Sequence, residues 1–202
     1  MSKPAQMRRI DHSLVLRYVG KGSNALDLGC NDGTLMELLI AQGVKVQGIE
    51  INEDLVSKCI KKGLPVMHDD IDRGFSDYRD NTFDYVILNR TLQATHKPLL
   101  VMREALRIGK VVLVSFPNFG YYITRIQLFF EGKMPKNAEL PHEWYDTPNI
   151  HLVTISDFTR FCNQNKFNIC KKIYFDHQHE LTPIMPNLVS PYALYILSGA
   201  PS

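Results

Sequence analysis

No run in this 202-residue sequence approaches the roughly 20 apolar residues that a bilayer crossing requires, so no membrane span is expected. Residues 1–11 carry charges but no apolar core segment, and no secretory leader is read there. None of the four cysteines, Cys30, Cys59, Cys162 and Cys170, forms a C-x-x-C pair. That speaks against a zinc site, and thiols scattered in apolar or mixed runs fit a reducing cytoplasm. Charge of one sign is also scarce, with a formal net charge of +2. Nucleic acid is therefore not expected as the main partner, because it selects a clearly basic face. There is no internal repeat and no low-complexity segment, and 45% hydrophobic against 22% charged residues is the balance of a globular chain. The length suits one domain spanning residues 1–202 and leaves little room for a second.

What is present is an alternation of short apolar runs and amphipathic segments. Residues 11–19 read as a helix, with Leu14, Val15, Tyr18 and Val19 on one face. Strands are expected at 25–28, 44–51, 65–67, 83–88 and 111–116, and helices at 34–42, 53–62 and 98–107. Asn52 is a good N-cap, acids follow it, lysines close that helix and Gly63 stops it. Gly109 is expected to end the helix before the 111–116 strand. Strands alternating with helices imply crossover connections, hence a parallel, doubly wound sheet. Beyond residue 116 the pattern changes: a helix at 121–131, a proline-bearing stretch, a helix at 156–165, then strands at 168–175 and 192–199. The last two lack a helix-length segment between them and are expected to close the sheet as an antiparallel pair.

Between the first strand and its helix lies Leu26-Asp27-Leu28-Gly29-Cys30-Asn31-Asp32-Gly33. Gly29 permits a tight turn and close approach of a ligand to the backbone, and Gly33 lets the helix begin close to both. Asn31 stands where a middle glycine is expected, and asparagine tolerates positive φ best among the other residues. The loop is not G-x-G-x-x-G. Two carboxylates at its mouth, Asp27 and Asp32, disfavour a pyrophosphate and suit a cationic, amine-bearing ligand. Glu50 ends the second strand 17 residues after Gly33, where an acid accepts the hydroxyls of a ribose. Asp70, with Asp69 second, follows the third strand and suits an adenine amino group. A glycine turn or a strand-end acid alone is usually structural; the combination at this spacing points to a nucleoside site. S-adenosylmethionine (SAM), with a sulfonium and an ammonium, fits it.

These residues resemble the class I SAM-dependent methyltransferases, and more narrowly the methionine biosynthesis protein MetW family. The narrower likeness rests on Phe83-Asp84-Tyr85-Val86-Ile87-Leu88 with Thr91-Leu92-Gln93-Ala94-Thr95, on Val114-Ser115-Phe116-Pro117-Asn118-Phe119-Gly120, on Arg125-Ile126-Gln127-Leu128 with Gly132-Lys133-Met134-Pro135, and on Leu140-Pro141 through Trp144-Tyr145-Asp146-Thr147-Pro148-Asn149-Ile150-His151-Leu152. It covers about residues 8–198. The resemblance implies a Rossmann-like fold with a mostly parallel seven-stranded sheet and an antiparallel C-terminal strand. It implies a site for SAM or S-adenosylhomocysteine at Asp27, Gly29, Glu50 and Asp70 and in the turn after the fourth strand. The expected cofactor set is completed by the neighbouring Cys30, Asn31, Gly33, Ile51, Ile71 and Asn89. It also implies a place in methionine biosynthesis beside homoserine O-acetyltransferase. Two departures from the family pattern are Asn31 in the glycine loop and Asn89-Arg90 where Ser-Gln is common.

Methyl transfer from a sulfonium needs alignment more than covalent help, with a base where the acceptor must lose a proton. The expected small-molecule pocket therefore gathers Arg90, Gln93, Asn118, Tyr121 and Trp144, near the carboxyl ends of strands four and five and in an insert at 119–153 that forms a lid or a partner surface. Arg90 suits a ligand carboxylate. Tyr145 and His151 are candidate bases, although each is more commonly a structural residue. His177-Gln178-His179 has metal-like spacing, but a solvated strand end is the expected reading and no metal is assigned. Three functions compete: a methyltransferase acting on a small molecule, a SAM-binding regulatory partner of homoserine O-acetyltransferase with Phe129, Phe130 and Trp144 as anchors, and a nicotinamide dehydrogenase. The acid-rich glycine loop counts against the last.

Overall fold

The computed structural model describes residues 10–199. Most of the segment read as lacking a leader lies outside them. Helices α1 (Ile10–Tyr18), α2 (Thr34–Ala41), α3 (Glu53–Lys61), α4 (Pro98–Ile108), α5 (Tyr122–Glu131), α6 (Ile155–Gln164) and the short α7 (Pro186–Val189) surround one sheet. Its strands are β1 (Asn24–Leu28), β2 (Lys45–Glu50), β3 (Val66–His68), β4 (Phe83–Asn89), β5 (Gly109–Pro117), β6 (Asn168–Phe175), β7 (Glu180–Leu181) and β8 (Tyr192–Ser198). Among the described residues no helix is long and apolar enough to cross a membrane.

Strand order is β3-β2-β1-β4-β5-β8-β6-β7. The first five of these run parallel, and β8 then pairs antiparallel with both β5 and β6. The side chains explain why the sheet is buried on both faces. Period-two alternation sends Leu26, Leu88 and Val114 into a core with α4 and α6, and Ala25, Ile87 and Leu113 into a second core with α1 and α2. Burying continuous runs on two faces is the dominant stabilising term, at about 25 cal/mol per Å² of apolar surface.

The caps are as the sequence leads one to expect at α3, where Asn52 Oδ1 accepts from Leu55 N at 3.1 Å. Three details differ. Gly109 does not merely stop α4; it is already the first residue of β5 and pairs with Phe83. A Cβ there would stand 2.5 Å from Val86 Cγ2, so the glycine admits a close strand contact. The sheet has eight strands rather than seven, because Asp176 Oδ1 accepts from Gln178 N and His179 N and folds the chain back onto β6 as the two-residue β7. His177-Gln178-His179 is thus a hairpin turn and not the end of a strand.

The stretch 119–153 leaves and rejoins the body at one place. Phe119 N donates to Val153 O at 2.9 Å. Beside this clasp the buried Asn118 accepts from Gly120 N and Ile155 N through Oδ1 and donates to Asn187 O and Ser190 O through Nδ2. Four backbone groups from three segments are satisfied by a single amide, an economical use of a buried polar side chain.

Candidate functional site

The strand order reverses between β1 and β4, which is where open α/β sheets leave a crevice at their carboxyl ends. Two adjoining cavities lie there. The larger, about 640 Å³, is lined by the loops after β1, β2, β3 and β4 and by part of the 119–153 insert. The smaller, about 390 Å³, lies over the glycine loop between His12, Asp27, Asn89 and Arg90. Both touch Gly29, Asn31, Arg90 and Thr91.

The glycine loop has the backbone that its sequence suggests. Gly29, Asn31 and Gly33 hold φ of 71°, 54° and 78°. Gly29 is required twice over, because a Cβ would also stand 2.6 Å from Thr91 Cγ2. Gly29 N and Cys30 N both donate to Ile49 O, which fastens the turn to β2.

Glu50 is the keystone of the crevice. It is 7% exposed, and three backbone amides hold it: Asn31 N at 2.9 Å to Oε2, and Ile51 N and Asn52 N at 3.0 Å to Oε1. A carboxylate has about four acceptor directions, so Oε1 has filled both of its own and Oε2 keeps one for a further donor. Asp27, 2% exposed, sits between glycine loop and β4. Burial, and then the charge of Glu50, push its carboxyl up to about 7. Asp32, expected at the mouth of the loop, lines the smaller cavity and also caps the start of α2. Its Oδ1 accepts from Thr34 N at 3.1 Å and Thr34 Oγ1 at 2.7 Å. Burial opposes ionisation there, but these bonds and Lys62 bring the carboxyl below its ordinary value.

The structure brings together Gly29, Asn31, Glu50, Ile51, Asp70, Ile71, Arg90 and Gln93 around the larger cavity, and Asp27, Cys30 and Asn89 around the smaller. Asp70 Oδ1 accepts from Asp72 N, which starts a 3₁₀ turn at 71–73. Arg90, at φ 59°, points its Nε at Asp11 at 2.9 Å and stacks on Tyr192 with its guanidinium carbon 4.2 Å from the ring centroid. Its charge is therefore already matched by a buried carboxylate from α1. Gly33 acts behind the loop, facing Leu64 and Cys59.

Several expected pocket residues lie elsewhere. Asn118 is the clasp described above. Tyr121 packs on Tyr122, and burial, followed by that neighbour, pushes its hydroxyl up to about 12. Trp144 and Tyr145 are 72% and 73% exposed and pack edge to face on each other, away from both cavities. His151 borders a different, shallow depression with Leu92 and Phe158, while its backbone N donates to Gln93 O. From the insert it is Glu139, Pro141, His142, Pro148 and Asn149 that wall the larger cavity. Glu139 was invisible to motif reasoning, since nothing local distinguishes it from any loop acid. His12 reaches the crevice by tertiary contact alone, whereas Thr91 follows β4 where pocket residues were expected.

Similarity to known proteins agrees with this geometry. The family described as "Methionine biosynthesis protein MetW" matches residues 9–197. The "Bifunctional methionine biosynthesis protein MetXA/MetW" of Rhodopirellula baltica is 30% identical over 177 residues, covering 83% of this chain and 28% of that protein. The chain therefore spans well under half of that curated relative. A SAM-dependent methyltransferase from Archaeoglobus fulgidus shares the fold with a TM-score of 0.68 at 18% identity, covering 93% of this chain and 94% of that one. Another from Mesorhizobium loti has a TM-score of 0.68 at 15% identity, covering 93% and 97%.

Proposed function

The chain belongs to the methionine biosynthesis protein MetW family, and from that premise we propose that it binds SAM in the paired cavities and transfers a methyl group to a small molecule within methionine biosynthesis. Glu50 carries the reading. A buried carboxylate held rigid by three amides, with one acceptor direction left on Oε2, suits a ribose hydroxyl. The rest of the crevice fits the remainder of the molecule. Asp27 resists ionisation until a cation is beside it, which suits a ligand ammonium. Gly29, Cys30 and Asn31 present backbone without bulk at that end, next to Asn89. Ile51 and Ile71 offer apolar surface to an adenine, with Asp70 at its edge.

When bound, SAM supplies a methyl group activated by a sulfonium. The protein's part is to orient it and exclude water. Glu50 fixes the ribose, the glycine loop fixes the amino-acid end, and the insert wall closes over the acceptor side. Calorimetric titration with SAM and S-adenosylhomocysteine tests this directly. Wild-type protein should bind both, and Glu50→Ala should weaken binding by about tenfold to a hundredfold, the scale of losing one charge-assisted hydrogen bond. Failure of the wild-type protein to bind either ligand would remove the reading.

A second reading is favoured by a specific surface. Phe129 and Phe130, at the end of α5, are 81% and 78% exposed, and Trp144 with Tyr145 adds a second outward aromatic pair. Exposed aromatics of this kind are the residues that anchor interfaces. The R. baltica relative is named as a bifunctional MetXA/MetW protein. In this reading the chain binds SAM as a signal and docks on homoserine O-acetyltransferase through these side chains. Trp144→Ala should then abolish the complex while leaving SAM affinity unchanged; equal complex formation by the variant counts against it.

A further inference from the structure

Helix α6 is a ridge between two depressions that share no lining residue with the crevice. On one side lies a groove of about 710 Å³, bounded also by β6, α5 and α7. On the other lies a hollow of about 320 Å³. The helical period sorts the side chains: Ser156, Thr159 and Asn163 face the groove, Asp157 and Phe161 face the hollow, and Arg160 and Gln164 on the crest border both. The two depressions differ in chemistry. The groove is lined by Arg125, Arg160 and Lys172 and by no carboxylate, in a chain whose 23 Lys and Arg residues are nearly balanced by 21 Asp and Glu. Arg160 is matched by Asp157 at 2.6 Å. Arg125 donates to backbone carbonyls, Gly120 O and Asn187 O. Lys172 Nζ stands 3.5 Å from Thr159 Oγ1 and lies over the Tyr195 ring. Neither of these two cations has an ion-pair partner among the described residues. The hollow, by contrast, is walled by Leu92, Val153, Phe158 and Phe161. Leu152 beside the hollow and Met185 beside the groove add exposed apolar surface at the rims.

We propose that this face docks an acidic segment of a partner protein that carries one large apolar side chain. The acids of the segment lie in the groove beside Arg125 and Lys172, its apolar side chain fills the hollow, and Arg160 and Gln164 mark the crossing. Charge complementarity sets the sign of the occupant: the crevice is bordered by Asp27, Glu50 and Asp70, whereas this groove offers cations alone. The groove is open to solvent, which suits a chain passing through it; a small molecule is normally enclosed over most of its surface. Two unmatched cations are too few for a nucleic-acid backbone to follow, since that partner selects a longer basic stripe. They are enough to orient a protein segment, with the apolar anchor supplying most of the affinity. Arg and Met at the rim are residue types enriched where proteins meet. Because neither depression borders the crevice, the proposal does not rest on SAM binding.

The test titrates the full chain into fluorescein-labelled peptides with blocked ends and reads anisotropy at physiological ionic strength. Three peptides are compared: EEDGFGDEE, the same peptide with serine for phenylalanine, and KKKGFGKKK. The acidic phenylalanine peptide should bind, and the other two should bind more weakly by about tenfold or more, since each lacks either the anchor or the charge. Lys172→Glu in the groove and Leu152→Glu at the hollow should each weaken binding about tenfold, and the milder Lys172→Gln about threefold. Lys61→Glu, on α3 at the opposite end of the sheet, should stay within about twofold of wild type, because a docked segment does not respond to net charge alone. Far-ultraviolet circular dichroism checks that each variant is folded. The proposal is overturned if no peptide binds, if the serine or lysine peptide binds as well as the acidic phenylalanine peptide, or if Lys61→Glu weakens binding as much as Lys172→Glu. A dimer of the chain that dissociates in Lys172→Glu, or a single-stranded oligonucleotide bound more tightly than the acidic peptide, would give the face to another occupant and overturn it equally.

Discussion

Replacing Asp27 by asparagine should stabilise the ligand-free protein, increasingly as pH rises from about 4 to about 7. Burial raises this carboxyl from 3.8 to about 7, with the charge of Glu50 adding to the effect. The folded chain therefore holds this proton more tightly than the unfolded chain does. Below about pH 4 both states are protonated and the site costs nothing. As pH rises from there to about 7 the unfolded chain ionises first, so stability falls across that window. At about 1.4 kcal/mol per pH unit the loss amounts to about 4 kcal/mol once the pH passes 7. Asparagine copies the shape of the protonated acid and does not titrate. Urea unfolding of Asp27→Asn and wild type at about pH 5 and about pH 8 should show a gap that opens as pH rises, up to about 4 kcal/mol. In the same variant, SAM binding should lose its pH dependence near 7 and weaken at pH 8, because the carboxylate that meets the ammonium is gone. An identical gap at both pH values would refute the argument that this acid is held neutral by its burial.

Two further outcomes follow from the glycine loop. Gly33→Ala should lower unfolding free energy by about 2–3 kcal/mol in urea, since the new Cβ meets Leu64 Cδ1 at 2.2 Å and a side chain at φ 78° costs about 1 kcal/mol on its own. Asn31→Gly should leave stability within about 0.5 kcal/mol, whereas Asn31→Val, β-branched at φ 54°, should cost about 2 kcal/mol and loosen S-adenosylhomocysteine binding. Equal stability of the glycine and valine variants would show that the loop backbone does not need its left-handed residue.

The parallel half of the fold was legible because its apolar runs are long enough to have a period, and its helices carry caps such as Asn52. The two-residue β7 and four-residue α7 have no period to read; side-chain bonds to backbone, such as those from Asp176, create them. Gly109 looked like a stop signal because a glycine after a helix usually is one, but strand packing against Val86 had the stronger claim. In the crevice, Glu50 was readable since a strand end fixes where its acid must point. Glu139 and His12 were not, because only the folding of distant segments brings them there. Arg90 looked available from its position after β4, and its pairing with Asp11 could not be seen without the docking of α1. Trp144 and Tyr145 attracted notice by composition, yet their rings face outward.

The clasp at Asn118 has a consequence for how such proteins diversify. Because the stretch 119–153 departs and returns within one hydrogen bond, Phe119 N to Val153 O, the entropic cost of closing it is fixed at that point and grows only slowly with its length. The stretch is in effect a cassette. It can be lengthened, shortened or exchanged between relatives without disturbing the register of β5 or the seating of α6. One wall of the larger cavity and the outward aromatic surface both reside on it, so a single recombination event would change that wall and that surface together, while the glycine loop and Glu50 stayed as they were.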